Sequence, residues 1–329
     1  METQDQVKLC FPQLLNSSCR KPTLHWPEAL LLNTLLSFIS LITIVLNLLV
    51  IISVSHFRQL HKPTNILILS LAVSDFLVGF LLIPVEIFKY TACWLFGDTL
   101  CIVYYYVACV VLCASIGIIV LISVDRYVAI CDPLHYHTRI TLAKVKYWVF
   151  LCWVLSVVYS TFYLKDELIQ PGRNNPCIGK CGFSISNITG NFDLIFNFIL
   201  PVTVIIVLYM RVFFVAVFQA RAMRSQVTAV KLKLSVNLKT KKSEMKAART
   251  LGVLVVVFLM CYCPYYCYSV VEVNLTSTSY ASFFFFLYYF NSCLNPVIYS
   301  LFYPWFRKAL KLIVTLQILL PGSCEANIL

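Results

Sequence analysis

The chain has 329 residues, of which 60% are hydrophobic and only 12% are charged, and its formal net charge is +12. A soluble domain usually carries about twice that share of charged residues, so much of this chain must face lipid. The connections between its uncharged runs are too short for an enzyme domain of ordinary size, and they offer no soluble basic face for nucleic acid. These totals favour a membrane protein that is not an enzyme.

Seven uncharged runs are long enough to cross a bilayer, since a helical span needs about 20 apolar residues. We therefore predict an all-α membrane protein, a seven-transmembrane helix bundle with a short amphipathic eighth helix. An extracellular segment (1–28) precedes the seven-helix bundle (29–303), and the amphipathic helix and cytoplasmic tail (304–329) follow it. The predicted spans are 29–55, 64–88, 101–131, 144–164, 191–218, 247–271 and 280–303.

The short loops indicate the orientation, because cytoplasmic loops carry an excess of lysine and arginine. With the amino terminus outside, most of the 26 Lys and Arg residues fall on the inner side, where they also attract anionic membrane lipid. Three glycosylation sequons, at Asn16, Asn187 and Asn274, then all fall on the outer side. Both patterns predict a multi-pass protein of the plasma membrane with an extracellular amino terminus.

Span three connects the two faces of the membrane. It begins at Cys101 and ends with the adjacent Asp125 and Arg126, whose charges belong at an interface. On the helical rise, Cys101 and Arg126 lie roughly 37 Å apart, which is about the separation of the two faces of a bilayer. One helix therefore contacts an external and an internal compartment.

The 15 cysteines divide by location. Six fall outside, an even number that predicts up to three disulfides in an oxidising compartment. Six cysteines allow about fifteen connectivities, so the pairing stays open on spacing alone. Most of the others lie within spans, where they are typical packing residues. The outer cysteines are Cys10, Cys19, Cys93, Cys101, Cys177 and Cys181.

Two of the acids within the predicted spans are candidates for a functional role. Asp75 is deep in span two, where a carboxylate is costly and usually functional, although it can also be a structural hydrogen-bonding post between helices. Asp193 opens span five and shares one helical face with Asn197 and Pro201, near the outer mouth. From spacing alone, an acid that merely complements the helix dipole explains Asp193 equally well.

Three further features follow span five. The basic segment 211–249 predicts helices that extend into the cytoplasm, or else a solvated linker, and Glu244 within it is a candidate partner for Arg126. Pro264 predicts a kink in span six. After span seven, Phe306 opens a stretch of basic and apolar residues at helical spacing, which is typical of an amphipathic helix on the inner leaflet.

A set of signature residues recurs in order on the spans: Asn47, Asp75, Cys101, Asp125, Arg126, Tyr127, Trp153, Pro201, Tyr209, Pro264, Asn295, Pro296 and Tyr299. Taken together, they resemble the rhodopsin-like G protein-coupled receptors over nearly the whole chain. The run 291–306, which begins Asn-Ser-Cys-Leu-Asn-Pro-Val-Ile-Tyr, looks like the fingerprint of the trace amine-associated receptors, as does the run 56–65.

The resemblance implies an outward-facing pocket for a small protonated amine and an inward-facing site for a heterotrimeric G protein. Most members of that family sense amines in olfactory neurons, so it also implies a stimulatory or olfactory-type G protein and a cyclic AMP response. The disulfides it implies are Cys101–Cys181, Cys10–Cys177 and, as a third pair, Cys19–Cys93.

Two residue clusters match known sites of the family. One matches a sodium pocket, whose oxygens coordinate a small hard cation and imply an allosteric sodium ion as the one candidate cofactor. The sodium-pocket residues are Asp75, Ser115, Asn291, Ser292 and Asn295. The other matches the inner polar lock and the residues that act in activation: Asp125, Arg126, Tyr127, Tyr209, Glu244, Tyr262 and Tyr299.

The chain departs from the family pattern at two positions. Aminergic receptors usually carry an aspartate in span three, but here that position is Ala108, which cannot bind an ammonium group. One branch of the family, expanded in fishes, carries the acid in span five, at the position of Asp193. The resemblance therefore favours Asp193 as the counter-ion of the amine. The second departure is Tyr262, which stands where the usual span-six motif has tryptophan; a tyrosine there can still change rotamer and hydrogen-bond.

The predicted recognition pairs a protonated amine with Asp193 through a charge-assisted hydrogen bond. Tyrosine faces then surround the cation or its apolar tail, although core packing explains each tyrosine equally well. Glu86 either holds a second ammonium or belongs to a salt bridge of the outer lid. The predicted ligand-binding residues are Ala108, Leu112, Asp193, Asn197, Tyr265, Tyr266 and Tyr289.

Two alternatives stay open. The first is a receptor of the same class for a ligand that is not an amine, in which Asp193 only serves the end of its helix. The second is a seven-helix transporter. No inverted repeat is evident in the sequence, and Asp75 is the only acid deep in the predicted bundle, which speaks against transport.

Overall fold

The computed structural model describes residues 9–14, 16–21, 26–173, 175, 177–182, 186–227, 252–268 and 278–328. Most of these residues lie in helices. Within the described ranges, the strand-type pairings are two isolated bridges in the outer segment, Leu9 with Arg20 and Ser18 with Ile178. The predicted all-α fold is confirmed.

The principal helices are α1 (Trp26–His56), α2 (Pro63–Thr91), α3 (Gly97–Cys131), α4 (Leu142–Tyr163), α5 (Asn187–Asp193, Leu194–Ile199 and Leu200–Val227), α6 (Gly252–Tyr268), α7 (Thr278–Phe302) and α8 (Pro304–Val314). Two of them contain a wide π-type turn, at Val78–Leu82 in α2 and Leu194–Ile199 in α5. Short helices at Tyr136–Arg139 and Lys165–Ile169 lie in the connections before and after α4.

Five helices, α1 to α5, are long and apolar enough to cross a membrane. The described part of α6 is a shorter apolar helix, and α7 has 25 residues, or about 37 Å on the helical rise. Large apolar side chains cover the outside of the bundle: Leu31, Phe80, Phe150 and Phe162 are 60–74% exposed. Such a surface suits lipid tails rather than water.

Helix α3 is the central element, since it packs against α2, α4 and α5. Its buried face carries small and branched residues, including Ala114 and Ile118, which are fully buried. At Gly117 a side chain would overlap the thiol of Cys152 on α4, so the two helices approach more closely than a larger residue would allow.

Three disulfides join the outer segments. Cys101–Cys181 is confirmed, but the other two predicted pairings are wrong: the bonds are Cys10–Cys93 and Cys19–Cys177. The reason is the backbone pairing of the outer segments, which the sequence spacing of the cysteines does not reveal. The amide of Cys19 donates to the carbonyl of Ile178 (2.8 Å), which brings Cys19 beside Cys177 and leaves Cys10 for Cys93.

The predicted glycosylation sites lie in three different settings. Asn16 lies exposed in a turn of the amino-terminal segment, and Asn187 is the first residue of α5. Asn274 lies outside the described residues. Glycosylation of these sites stays a prediction.

At the inner end, α8 buries Trp305, Phe306 and Ala309 and exposes basic residues, as expected of an amphipathic helix. The tail after α8 returns to the turn between α1 and α2. The side chain of Ser323 lies 3.0 Å from Nε2 of His56, and Ile328 is fully buried. The tail therefore covers part of the inner face of the bundle.

Candidate functional site

A cavity of about 410 Å³ lies in the outer half of the bundle. Its walls come from α3, α4, α5, α6 and α7, with Gly182 of the outer lid segment beside them. The structure places all seven predicted ligand-binding residues in its wall. They are Ala108, Leu112, Asp193, Asn197, Tyr265, Tyr266 and Tyr289.

Asp193 is the carboxylate of this cavity. It is half-buried, and its Oδ1 accepts hydrogen bonds from the hydroxyl of Tyr159 (2.7 Å) and from Nδ2 of Asn197 (2.7 Å). Both donors are neutral, and none of the described residues forms an ion pair with this acid. Burying a carboxylate is costly unless its charge is compensated, so the charge of Asp193 is left for another group to balance.

The position of Asp193 in its helix also argues against a role limited to the helix dipole. Helix α5 begins at Asn187, so Asp193 lies nearly two turns inside it. The dipole effect falls off within the first turn. The π-type turn Leu194–Ile199 follows directly, and such turns are frequent at functional sites.

Four tyrosines close the cavity on the side of α6 and α7. The ring of Tyr265 lies edge-on to Tyr266 and to Tyr288, with centroids 5.2 and 5.4 Å apart, and Tyr288 lies edge-on to Tyr289 at 6.1 Å. This arrangement offers π faces and hydroxyls to a cation within one small space.

Sequence reasoning missed part of this wall. On α3, the missed residues continue the helical spacing that starts at Ala108, so extending that spacing from Ala108 and Leu112 would have found them. Tyr159, which bonds Asp193, lies on α4, and no pattern in that span singles it out. The missed lining residues are Tyr105, Cys109, Cys113, Ile116, Tyr163, Leu164, Gly182 and Tyr288.

Glu86 is not among the residues that line the cavity. Its carboxylate is buried and forms an ion pair with Lys89 of the same helix, with Oε2 and Nζ 2.7 Å apart. Of the two interpretations of Glu86 from the sequence, the structure favours a salt bridge, but with Lys89 of its own helix and not with the outer lid.

Deeper in the bundle, Asp75 is fully buried, and its Oδ2 accepts from Nδ2 of Asn295 (2.8 Å). Buried oxygens in this region lack a hydrogen-bond partner among the described residues, including Asp75 Oδ1 and Asn47 Oδ1. Unpaired buried oxygens of this kind are what a small hard cation requires. Asn291 and Ser292 are buried in the same region of α7. The predicted sodium-pocket residues therefore fit such an ion chemically.

A second polar cluster lies at the inner end of α3. Arg126 donates through Nε to Oδ2 of Asp125 (3.0 Å) and also contacts Oγ1 of Thr64. Thr64 donates to the same carboxylate (2.9 Å), and Tyr136 donates to its Oδ1 (2.8 Å). Burial and the nearby Asp125 raise the pKa of Tyr136, so its hydroxyl keeps the proton that it donates. The predicted partner Glu244 lies outside the described residues.

Two further predicted activation residues, Tyr127 and Tyr209, lie at contacts that involve α5. Tyr127 packs beside the buried pair Ile130 and Val212. The hydroxyl of Tyr209 lies so close to Gly252 of α6 that any side chain there would overlap it. Glycine at 252 thus lets α5 and α6 meet through this tyrosine.

Two buried tyrosines complete the predicted activation set. Tyr262 stacks on Phe258 with centroids 4.3 Å apart and contacts Tyr288 of the cavity wall at 4.1 Å. Tyr299 is 1% exposed, and its hydroxyl has no partner in the described part of the chain. Tyr262 therefore links the cavity to the interior through Tyr288.

An outward cavity, a buried acid halfway and a polar cluster at the opposite end are the architecture of a membrane receptor. Comparison with known proteins agrees: residues 46–299 match the family described as "7 transmembrane receptor (rhodopsin family)". The predicted seven-transmembrane bundle is thereby confirmed.

The similar proteins are more specific. The chain is 36% identical to "Trace amine-associated receptor 13c" of Danio rerio over 98% of this chain and 97% of that protein. It is 37% identical to "Trace amine-associated receptor 1" of Mus musculus, over 90% and 92%, and 35% identical to "Trace amine-associated receptor 8a" of Rattus norvegicus, over 99% and 98%. The chain belongs to the trace amine-associated receptors of the rhodopsin family. It is a multi-pass receptor of the plasma membrane, not an enzyme.

Proposed function

We propose that the receptor binds a small protonated amine in the outer cavity, with the ammonium group paired to Asp193. The observation that carries this proposal is a carboxylate in a cavity wall whose described partners, Tyr159 and Asn197, are both neutral. A ligand cation compensates the buried charge, and the two neutral donors hold the carboxylate in place for it.

The cavity also suits a ligand of this kind in size and lining. Its volume of about 410 Å³ falls in the range of small-molecule sites. The tyrosines of α6 and α7 contact the cation or the apolar part of the amine, and each cation–π contact adds about 0.5–2 kcal/mol. Ala108 leaves the α3 side of the cavity without a charge, so the amine is drawn towards α5.

The Asp193→Asn substitution tests this assignment. Truncating one partner of a buried charge pair costs about 2–5 kcal/mol, so we expect potency to fall at least about 30-fold for every active amine. The measurement is a cyclic AMP dose curve for a panel of alkylamines and arylalkylamines, with surface expression determined in parallel. Asp98→Asn is the matched control, because Asp98 is an exposed acid at the outer end of α3. An unchanged curve for Asp193→Asn would refute the pairing and favour a ligand that is not an amine.

For the inner face, the proposal is that the bound amine favours a state in which Arg126 leaves Asp125 and helps to receive a G protein of the stimulatory or olfactory type. Tyr209 and Tyr299 are the proposed contacts of the released guanidinium, and the exposed basic residues of α8 hold anionic lipid. Expression of each α-subunit in cells that lack both tests the G protein type. A response with neither subunit would contradict it.

Sodium is proposed as an allosteric ligand of Asp75, because that site has unpaired buried oxygens. It would supply a positive charge that holds α2, α3 and α7 together. Replacing sodium by N-methylglucamine is expected to change agonist affinity about fivefold, the lower end of typical allosteric coupling. The effect should vanish in Asp75→Asn; a sodium effect that survives this change would place the ion elsewhere.

A further inference from the structure

A lysine of the receptor itself occupies a buried position beside the amine cavity. The side chains of Lys89 and Glu86 are only 8% and 2% exposed, and Nζ of Lys89 lies 2.7 Å from Oε2 of Glu86. The same Nζ donates to the hydroxyl of Tyr105 (2.6 Å). It also lies 5.0 Å from the centre of the Tyr104 ring and 4.3 Å from that of Tyr105.

These contacts are the ones that an amine ligand needs. An ammonium group is held by one carboxylate, one tyrosine hydroxyl and two aromatic faces. The outer cavity offers an analogous set, with Asp193 as the acid and the tyrosines of α6 and α7 as the aromatic faces.

The two sites share a wall. Tyr105 lines the cavity and also bonds Lys89, and its hydroxyl donates weakly to the carbonyl of Cys181 in the outer lid (3.4 Å). A ligand in the cavity and the Lys89 ammonium group therefore both contact the Tyr105 side chain.

Stability alone does not explain the Glu86–Lys89 pair. Replacing a buried ion pair with apolar residues of similar volume is often neutral or stabilising, whereas removing one partner leaves an uncompensated charge. The ion pair itself lies on one helix, three residues apart, and the link to α3 is the hydrogen bond from Lys89 to Tyr105, which does not require Glu86 to be charged. Because of the ion pair with Lys89, the charge of Glu86 is already balanced before any ligand binds.

We propose that Lys89 is a tethered ammonium that fills a second amine site formed by Glu86, Tyr104 and Tyr105. The receptor then accepts amines with a single charge and rejects diamines, because the second ammonium finds its acid occupied. This inference rests on the proposed pairing of the first ammonium with Asp193.

The test is a gain of function. Lys89→Ala removes the tethered ammonium and leaves room beside Glu86 for a ligand. Linear α,ω-diamines and 1-aminoalkanes of the same chain lengths are compared by cyclic AMP dose curves. We expect Lys89→Ala to gain at least about tenfold in diamine potency for at least one chain length, relative to the parent, while the potency of the monoamines changes little.

The double variant Glu86→Gln/Lys89→Ala is the matched control. It has the same added space but no acid, so the diamine gain should be absent. A gain that persists in this control, or a Lys89→Ala receptor at the cell surface that responds as the parent does, would overturn the inference.

Failure to fold is handled by a second measurement. If Lys89→Ala is retained inside the cell, a diamine in the growth medium should restore its surface level by filling the site, and should not do so for the double variant. Equal surface levels with and without diamine would also overturn the inference.

Loss of all amine responses in Asp193→Asn of the parent, together with no diamine gain in Lys89→Ala, would reject this second site alone. An unaffected Asp193→Asn would reject the proposed function itself.

Discussion

Two acids at opposite ends of the bundle, the buried Asp125 and the half-buried Asp193, differ in what balances their charge. Asp125, at the inner end of α3, is paired with Arg126 and also accepts from Thr64 and Tyr136. Asp193, in the outer cavity, accepts only from neutral groups among the described residues. The charge of an acid that is paired with an internal cation is balanced without a ligand. The charge of an acid that has only neutral donors is balanced when a cationic ligand binds.

Glu86 shows that this difference is not simply one of inner and outer position. It lies in the outer half of the bundle, yet it has its own cation in Lys89. What distinguishes the acids is therefore whether the protein itself supplies a cation beside them. A substitution that adds or removes this cation converts one kind of acid into the other.

The largest effect is expected from giving Asp193 a cation of its own. Asn197 already lies within 2.7 Å of the carboxylate, so Asn197→Lys places a tethered ammonium against it. We expect a loss of at least about 100-fold in amine potency, because the ligand must displace a paired charge. Dose curves at matched surface expression measure it. Asn191→Lys, at an exposed position earlier in α5, is the control and should behave as the parent does. A normal response in Asn197→Lys would show that Asp193 does not hold the amine.

A smaller effect is expected from removing the charge that holds Arg126. Asp125→Asn keeps the shape of the side chain but releases the guanidinium from its ion pair. We expect ligand-independent cyclic AMP to rise about tenfold, in line with the upper range of single-residue effects on conformational coupling. Tyr136→Phe removes a single hydrogen bond to Asp125 and should raise it less. Unchanged basal activity in both variants would indicate that Asp125 does not restrain the receptor.

The smallest effect is expected from the neutral donors of Asp193. Tyr159→Phe removes one hydrogen bond to the carboxylate, worth about 1 kcal/mol, so amine potency should fall about fivefold. The control is Tyr106→Phe, which removes an exposed hydroxyl contact between α3 and α4. If Tyr159→Phe instead abolishes the response, Tyr159 contacts the ligand directly and does more than hold the Asp193 carboxylate in place.

The sequence by itself determined the features that depend on one helix at a time. The seven apolar runs follow from the thickness of the bilayer, and the shared face of Asp193 and Asn197 follows from the helical repeat. The amphipathic α8 is likewise visible in the spacing of its apolar residues, such as Phe306 and Ala309. The pairing of Glu86 with Lys89 was within reach of the same reasoning, since the two residues lie one helical turn apart.

Only the tertiary structure decided which residues from different helices meet. It paired Cys10 with Cys93, brought the hydroxyl of Tyr159 to Asp193 and returned the tail to α1. Such contacts depend on how helices and loops pack in three dimensions, and packing between distant segments leaves no periodic pattern in the chain. The position of an acid, and a cation one turn away on the same helix, could therefore be predicted from sequence, but the partners that other helices bring to the acid could be learned only from the packed bundle.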